Sequence, residues 1–201
     1  MKELYDKLRA YAPACEQEEA DRALMLEWLE ACPEKVFTRE SQAAHFTGSG
    51  LVVSPELDRV LLIYHRIYDA WTWTGGDLWI MFPMVGSMDD IRRAKAALRE
   101  AEEETGLTDM APLTGEIATL DILPVEGHIK RGRYVSAHLH LSVGYLLVTG
   151  DARPPRGNEE ENRGARWVPA EQLTRWATEK GMQPLYGKLL THLRRLRKER
   201  G

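Results

Sequence analysis

A mixed α/β sandwich with an N-terminal helical extension is the fold class this sequence predicts, and three observations predict it. The first forty residues carry helical periodicity. Short runs rich in β-branched residues take over from about Ala43. One long helix interrupts those runs near the middle of the chain. Interleaving of this kind, with only one long central helix, argues against a regular doubly wound sheet. The expected division is a helical extension over 1–40 and a second unit over 41–201 that includes the C-terminal helices.

In chain order, Leu4, Leu8 and Tyr11 recur at helical spacing, and Pro13 ends that run. A second helix is expected from about Glu16 to Ala31, with Leu24, Trp28 and Ala31 on its apolar face and Pro33 as its stop. LVVS and RVLLIYHR then read as two strands joined by a turn at Pro55-Glu56-Leu57-Asp58. Trp71-Thr72-Trp73-Thr74 reads as a further strand or its end, punctuated by Gly75-Gly76. The strongest helix spans about Asp89 to Thr105, and Gly106 stands where a left-handed C-terminal cap belongs. EIATLDILPV and YVSAHLHLSVGYLLV supply two more strands, and Arg166-Trp167-Val168 a short last one. Pro169 opens a helix with Glu171 in its first turn. A basic helix from Leu185 to Arg200 carries a stripe of Leu189, Leu193 and Leu196, which marks it as docked rather than nucleic-acid-binding.

Composition narrows the function classes. The chain has 201 residues, 27 basic against 31 acidic side chains and a net charge of −4, so no polyanion partner is expected. An apolar content of 43% suits a globular chain. Cys15 and Cys32 form neither a disulfide framework nor a metal knuckle, as in a reducing cytosol, and a cytoplasmic location is expected. No apolar run is long enough for a membrane span, and the charged start (MKELYDKLRAYAP) is unlike a signal peptide. A homodimer stays open.

The chemistry concentrates in Arg99-Glu100-Ala101-Glu102-Glu103-Glu104-Thr105-Gly106-Leu107. On a helix, Glu100, Glu103 and Glu104 fall at i, i+3 and i+4 and share one face. Ala94, Ala97, Leu98 and Ala101 form the adjacent apolar face that docks the helix on a sheet. Most Glu-rich helices are only solvated faces. Three clustered carboxylates repel one another, however, by a few tenths of a kcal/mol per exposed pair at ~0.2–0.5 kcal/mol. A divalent cation removes that penalty. Hard oxygen donors favour Mg²⁺ or Mn²⁺ over Zn²⁺. Arg99 reaches Glu103 one turn on and can hold it in one orientation.

REAEEETGL resembles the second half of the Nudix box, with every fixed position filled. The resemblance spans roughly 43–170. HFTGSGLVV, VLLIYHRIYDAWTWTGG, GHIKRGRYVSAHLHL and ENRGARWVP are similar to a bacterial subgroup of Nudix hydrolases that carries a helical N-terminal extension. It implies a Nudix-type α/β/α sandwich with a mixed sheet, and metal-dependent hydrolysis of a nucleoside diphosphate linked to another moiety. Carried over by motif position, Glu100, Glu103 and Glu104 are metal ligands, Arg99 orients a carboxylate, and Arg99, Glu103 and Glu104 form the catalytic set. One of these glutamates, or one from another loop, takes the proton of the attacking water.

The first half of the box departs from the family. Val85 and Ile91 stand where the family has Gly and Glu, fourteen and eight residues before Arg99. Gly75-Gly76 is the counterpart of the family's glycine pair, but Gly76 lies 23 residues before Arg99, so the loop is about nine residues longer. Gly86 and Asp90 each lie one place from an expected position and can partly substitute. The added apolar stretch LWIMFPMV (78–85) reads as a buried strand, a lid, an interaction surface or a disabling insertion. The alternative function is therefore a catalytically weakened Nudix-fold module that binds a nucleotide or a protein. An isopentenyl-diphosphate isomerase shares the fold, but the Cys acid expected for that reaction is missing from the region after residue 40.

Four further groups are candidates. Arg131 and Arg133, with Lys130, are either loop solvation or a clamp for substrate phosphates. His138 and His140 alternate along a strand and point to one face. Their spacing suits Zn²⁺ but no third ligand is visible in the sequence, so they are read as pocket-lining residues with a substrate-binding role, beside His128. Glu159, Glu160 and Glu161 are a solvated loop or the source of a further ligand or base. Trp71 and Trp73 are core residues, one of them placed to stack on a base.

Overall fold

The structure is a computed structural model that describes residues 2–33, 35–38, 41–66, 69–74, 98, 101–130, 132–151, 153–157, 162–179 and 181–200. Two helices, α1 (Lys2–Ala10) and α2 (Glu16–Ala31), precede strands β1 (Ala44–Val53), β2 (Arg59–His65) and β3 (Ala70–Thr72). Residues 98 and 101–105 are helical and are called α3. Strands β4 (Met110–Pro112), β5 (Thr119–Val125), β6 (His128–Lys130), β7 (Arg133–Val135), β8 (His138–Thr149) and β9 (Asn162–Pro169) follow. The described chain ends with α4 (Leu173–Trp176) and α5 (Gln183–Arg200).

Seven strands make one mixed sheet, in the order β3-β2-β1-β8-β4, with β5 also on β8 and β9 also on β2. The pair β1–β8 is parallel and holds register over ten residues, from Ala44↔Leu139 to Val53↔Val148; the other pairs are antiparallel. Every residue of β1 is buried, as expected for a strand covered on both faces. Hairpin β6–β7 forms a separate two-stranded sheet.

Helices cover both faces. Leu4 and Leu8 of α1 and Met25 and Leu29 of α2 pack with Phe46, Leu61, Leu141, Val143, Ala101 and Leu107. On the other side Leu173, Leu185, Tyr186, Leu189 and Leu193 pack with Leu51, Val53, Leu62 and Leu146. The expected stripe of α5 is the one that docks. The apolar face expected for α2 is corrected: Met25 and Leu29 are its buried pair, and Leu24 is exposed. Rotation by one residue turns Glu18 inward as well.

That inward carboxylate has a structural use. β5 is bonded to β8 on one side, and its other edge needs partners for its amides. Glu18 accepts the Leu120 amide at 3.4 Å and Asp21 accepts the Ile122 amide at 2.8 Å. Lys188 of α5 closes the arrangement, with Nζ 2.9 Å from Glu18 Oε1 and 2.7 Å from Asp121 Oδ1. The triad ties α2, β5 and α5 together. Burial works against the Lys188 ammonium, but Asp121 and Glu18 outweigh it and hold its pKa above the usual 10.5. Burial pushes the Asp121 carboxyl up against the pull of Lys188.

Replacing Lys188 by Met leaves two buried carboxylates without their cation. K188M is expected to lose about 3–5 kcal/mol of stability, read as a lower urea midpoint with unchanged slope. The pH dependence follows from the raised pKa of Lys188. Its stabilisation is complete below the unfolded value of 10.5 and is lost as pH rises through the higher folded value. The gap between wild type and K188M therefore narrows above pH 10.5, measured by urea unfolding at stepped alkaline pH.

Candidate functional site

The acidic string ends as a helix for local reasons. Thr105 Oγ1 donates to Ala101 O at 2.5 Å, and the Gly106 amide donates to Glu102 O at 2.8 Å. Gly106 has φ of +64°, the left-handed cap position expected from the sequence. Ala101 and Leu107 are buried in the core and Leu98 packs against it, whereas Ala94 and Ala97 of the expected apolar face lie outside the described residues.

Long-range bonds fix the end of α3 against the chain that leads into β9. The Arg156 amide donates to Thr105 O at 2.7 Å, and Asn162 Nδ2 donates to Glu104 O at 2.9 Å. Asn162 is buried, and its Oδ1 accepts the Gly164 amide at 3.1 Å. Gly157 makes this approach feasible: a Cβ there would lie 2.3 Å from Asn162 Oδ1 and 2.6 Å from Gly164 Cα. Sequence reasoning missed Asn162. It stands directly after the three glutamates of 159–161, which drew attention away from it.

Of the expected metal ligands, Glu103 is exposed and Glu104 is only 3% exposed, on the last turn of α3. The two carboxylates thus span the boundary between solvent and interior, and both offer hard oxygen donors suited to Mg²⁺ or Mn²⁺. Arg99 and Glu100 lie outside the described residues, as do the 77–91 segment, Arg131 and Glu159–Glu161. Arg133 is exposed on β7, opposite Lys130 across a hairpin whose turn holds Gly132 at φ +75°. Lys130 and Arg133 therefore sit on a two-stranded sheet and not in a plain loop.

His138 and His140 do share a face of β8, and the structure corrects the expectation that they have no third companion. The parallel register puts His45 of β1 directly beside His140. The candidate ligand atoms of His45, His138 and His140 all lie within 4.8 Å of one another. Among the described residues this is the group of His, Cys, Asp and Glu side chains gathered closely enough to hold an ion. Further along the same two strands, Ser49 Oγ and Ser142 Oγ stand 3.3 Å apart. His128 is not part of the cluster; its Nδ1 meets Glu126 O at 2.9 Å. Trp73 is buried against Tyr186, as expected of a core residue, whereas Trp71 meets Tyr64 and Trp176 edge-on under the Arg166 guanidinium.

No membrane-spanning helix occurs among the described residues. No curated protein matches the sequence. Solved structures do. A NUDIX-family hydrolase from Clostridium perfringens is 22% identical, with 76% of this chain and 97% of that one covered and a TM-score of 0.47. A protein from Jonesia denitrificans described as a possible asymmetric diadenosine tetraphosphate hydrolase is 16% identical, with 75% and 95% covered and a TM-score of 0.52. The Escherichia coli dihydroneopterin triphosphate pyrophosphohydrolase is 15% identical, with 73% and 95% covered and a TM-score of 0.48. The NUDIX domain model matches residues 45–190, from the first residue of the histidine cluster to the middle of α5. With that match over most of its length, and with helices on both faces of a mixed sheet, the chain belongs to the Nudix family.

Proposed function

We propose that the chain is a divalent-metal-dependent hydrolase that cleaves a diphosphate bond in a nucleoside-diphosphate-linked small molecule. The observation that carries this reading is the acidic turn of α3. Glu103 and Glu104 stand there side by side, with Gly106, Arg156 and Asn162 fixing the end of the helix.

A diphosphate resists attack because its oxygens are anionic. Glu100, Glu103 and Glu104 would hold a divalent ion, which would neutralise that charge and lower the pKa of an attacking water. The chain's own residues supply position. Arg99 orients a carboxylate from one turn earlier. Glu103, in contact with solvent, is placed to accept the proton of the water. Arg131 and Arg133 carry the positive charge that grips the substrate phosphates. Rigid support of the acidic turn matters because catalysis of this kind is mostly positioning and electrostatics.

A second reading, a nucleotide- or protein-binding module of low turnover, is favoured by one sequence feature: Val85 and Ile91 replace the family's Gly and Glu, and the loop after Gly76 is about nine residues longer.

The test of the first reading is a panel of nucleoside diphosphates, triphosphates, sugar nucleotides and diadenosine tetraphosphate with Mg²⁺ or Mn²⁺, reading released phosphate or mononucleotide. E103Q is expected to lower kcat by about a hundredfold or more on any substrate cleaved. Its melting temperature should change little, because Glu103 is exposed. Wild-type turnover in E103Q on every such substrate would overturn the assignment. Removal of about nine residues within 77–88 separates the two readings. Loss of turnover identifies that segment as a working lid, and a sharp rise identifies it as inhibitory.

A further inference from the structure

We propose that His45, His138 and His140 form a second metal site, distinct in chemistry from the carboxylate set of α3, that takes Zn²⁺ or a similar transition-metal dication. The proposal does not rest on the hydrolase reading.

The sheet builds the cluster. His140 and His138 are two residues apart on β8 and so point to one face, and the parallel ladder sets His45 beside His140 on that same face. On the other side of β8, Leu123 and Val125 of β5 stand opposite His140 and His138. The three imidazoles are 4%, 9% and 8% exposed for His45, His138 and His140. Three imidazoles are thus gathered at one buried position beside aliphatic neighbours.

The spacing of the three ring centroids, two of them stacked, is compatible with three ligands of a tetrahedral centre. Ring centroids are separated by 5.1 Å for His45–His138, 4.9 Å for His45–His140 and 5.0 Å for His138–His140. Zn–N bonds of ~2.0–2.1 Å at tetrahedral angles put ligand nitrogens about 3.3 Å apart and ring centroids about 5.2 Å apart. The Nε2 atoms of His138 and His140 meet in a hydrogen bond of 3.2 Å, and an ion would take the place of its proton at nearly the same spacing. The candidate ligand atoms all lie within 4.8 Å of one another, and metal binding would draw the widest pair closer.

The tautomer is also prepared. His138 Nδ1 lies 2.8 Å from Ser136 O, a backbone acceptor, so Nδ1 carries the proton and Nε2 offers its lone pair toward His140. A backbone carbonyl behind a ligating imidazole is the usual means of orienting such a ligand. Neutral imidazole suits Zn²⁺, Co²⁺ or Ni²⁺ and is a poor donor for Mg²⁺. Three protein ligands leave a fourth position for water or an anionic oxygen, the arrangement of a site open to ligands. His138 and His140 then contact substrate, if at all, through the ion.

The experiment uses chelator-treated full-length protein titrated with Co²⁺ in the absence of any nucleotide. Wild type is expected to take up one equivalent with the intense visible bands of tetrahedral cobalt, displaced by Zn²⁺, and E103Q should retain them. H45F keeps an aromatic ring in the stack, and H140Q keeps a polar side chain of similar reach. Each should lose the bands and bind Zn²⁺ at least about tenfold more weakly in competition with a chromophoric chelator. Should either variant fail to fold, ring-nitrogen NMR shifts of the three histidines in wild type on addition of Zn²⁺ give the same answer. Absence of tetrahedral bands in wild type, bands that survive in folded H45F and H140Q, or no ring-nitrogen shift each overturns the site. None of these outcomes bears on whether the chain cleaves a diphosphate.

Discussion

The parallel pairing of β1 with β8 is the constraint on which the rest of the molecule depends. Paired residues of these two strands are 95 positions apart, yet they hold register over ten residues at the centre of the sheet. Loop closure across so long a span is entropically costly, and the pair is repaid by burial on both faces. Outward from this pair, β5 and β4 add to β8, while β2 brings β3 and β9. The N-terminal helices settle on one face and α4–α5 on the other. A slip of one residue in the β1–β8 register would turn His45 away from His140 and separate Ser49 from Ser142, because alternate side chains face opposite ways.

What was legible in the sequence is what local chemistry decides. Leu4 and Leu8 announce α1, the Leu stripe announces α5, and Gly106 announces the end of α3, because each depends on residues within one or two turns. The family string REAEEETGL is local in the same sense. The face of α2 was misread because Leu24, Trp28 and Ala31 compete with Met25 and Leu29 at nearly the same helical spacing. The tie-breaker is tertiary: Glu18 has to turn inward to meet β5 and Lys188.

The histidine cluster was half legible for a similar reason. His138 and His140 are two apart and show their common face by alternation alone. His45 joins them only through a pairing partner on another strand, and no spacing along the chain encodes that. Asn162 is a comparable case. Its function is to bond the backbone carbonyl of Glu104 across fifty-eight positions, and an isolated Asn beside a run of glutamates carries no signal of that contact. Pairwise chemistry at short range can be read from a sequence, whereas chemistry assembled by a sheet needs the register first.

The two donor sets pose a selectivity problem that their chemistry resolves in one direction only. Imidazole nitrogens discriminate strongly against Mg²⁺, which dehydrates reluctantly and prefers oxygen. Carboxylates discriminate far less against Zn²⁺, so on the proposed reading the acidic turn of α3 would be the promiscuous site and the histidine triad the selective one. A buried, pre-oriented triad also draws a scarce transition-metal ion first, since His138 already has its tautomer set by Ser136 O and two of the three nitrogens already stand at ligand spacing. Occupation of the triad would therefore precede any competition for Glu103 and Glu104. Burial within the β1–β8 ladder would fix that ion to the most constrained part of the fold, while Glu103, facing solvent, would exchange the abundant hard cation that the proposed diphosphate chemistry requires.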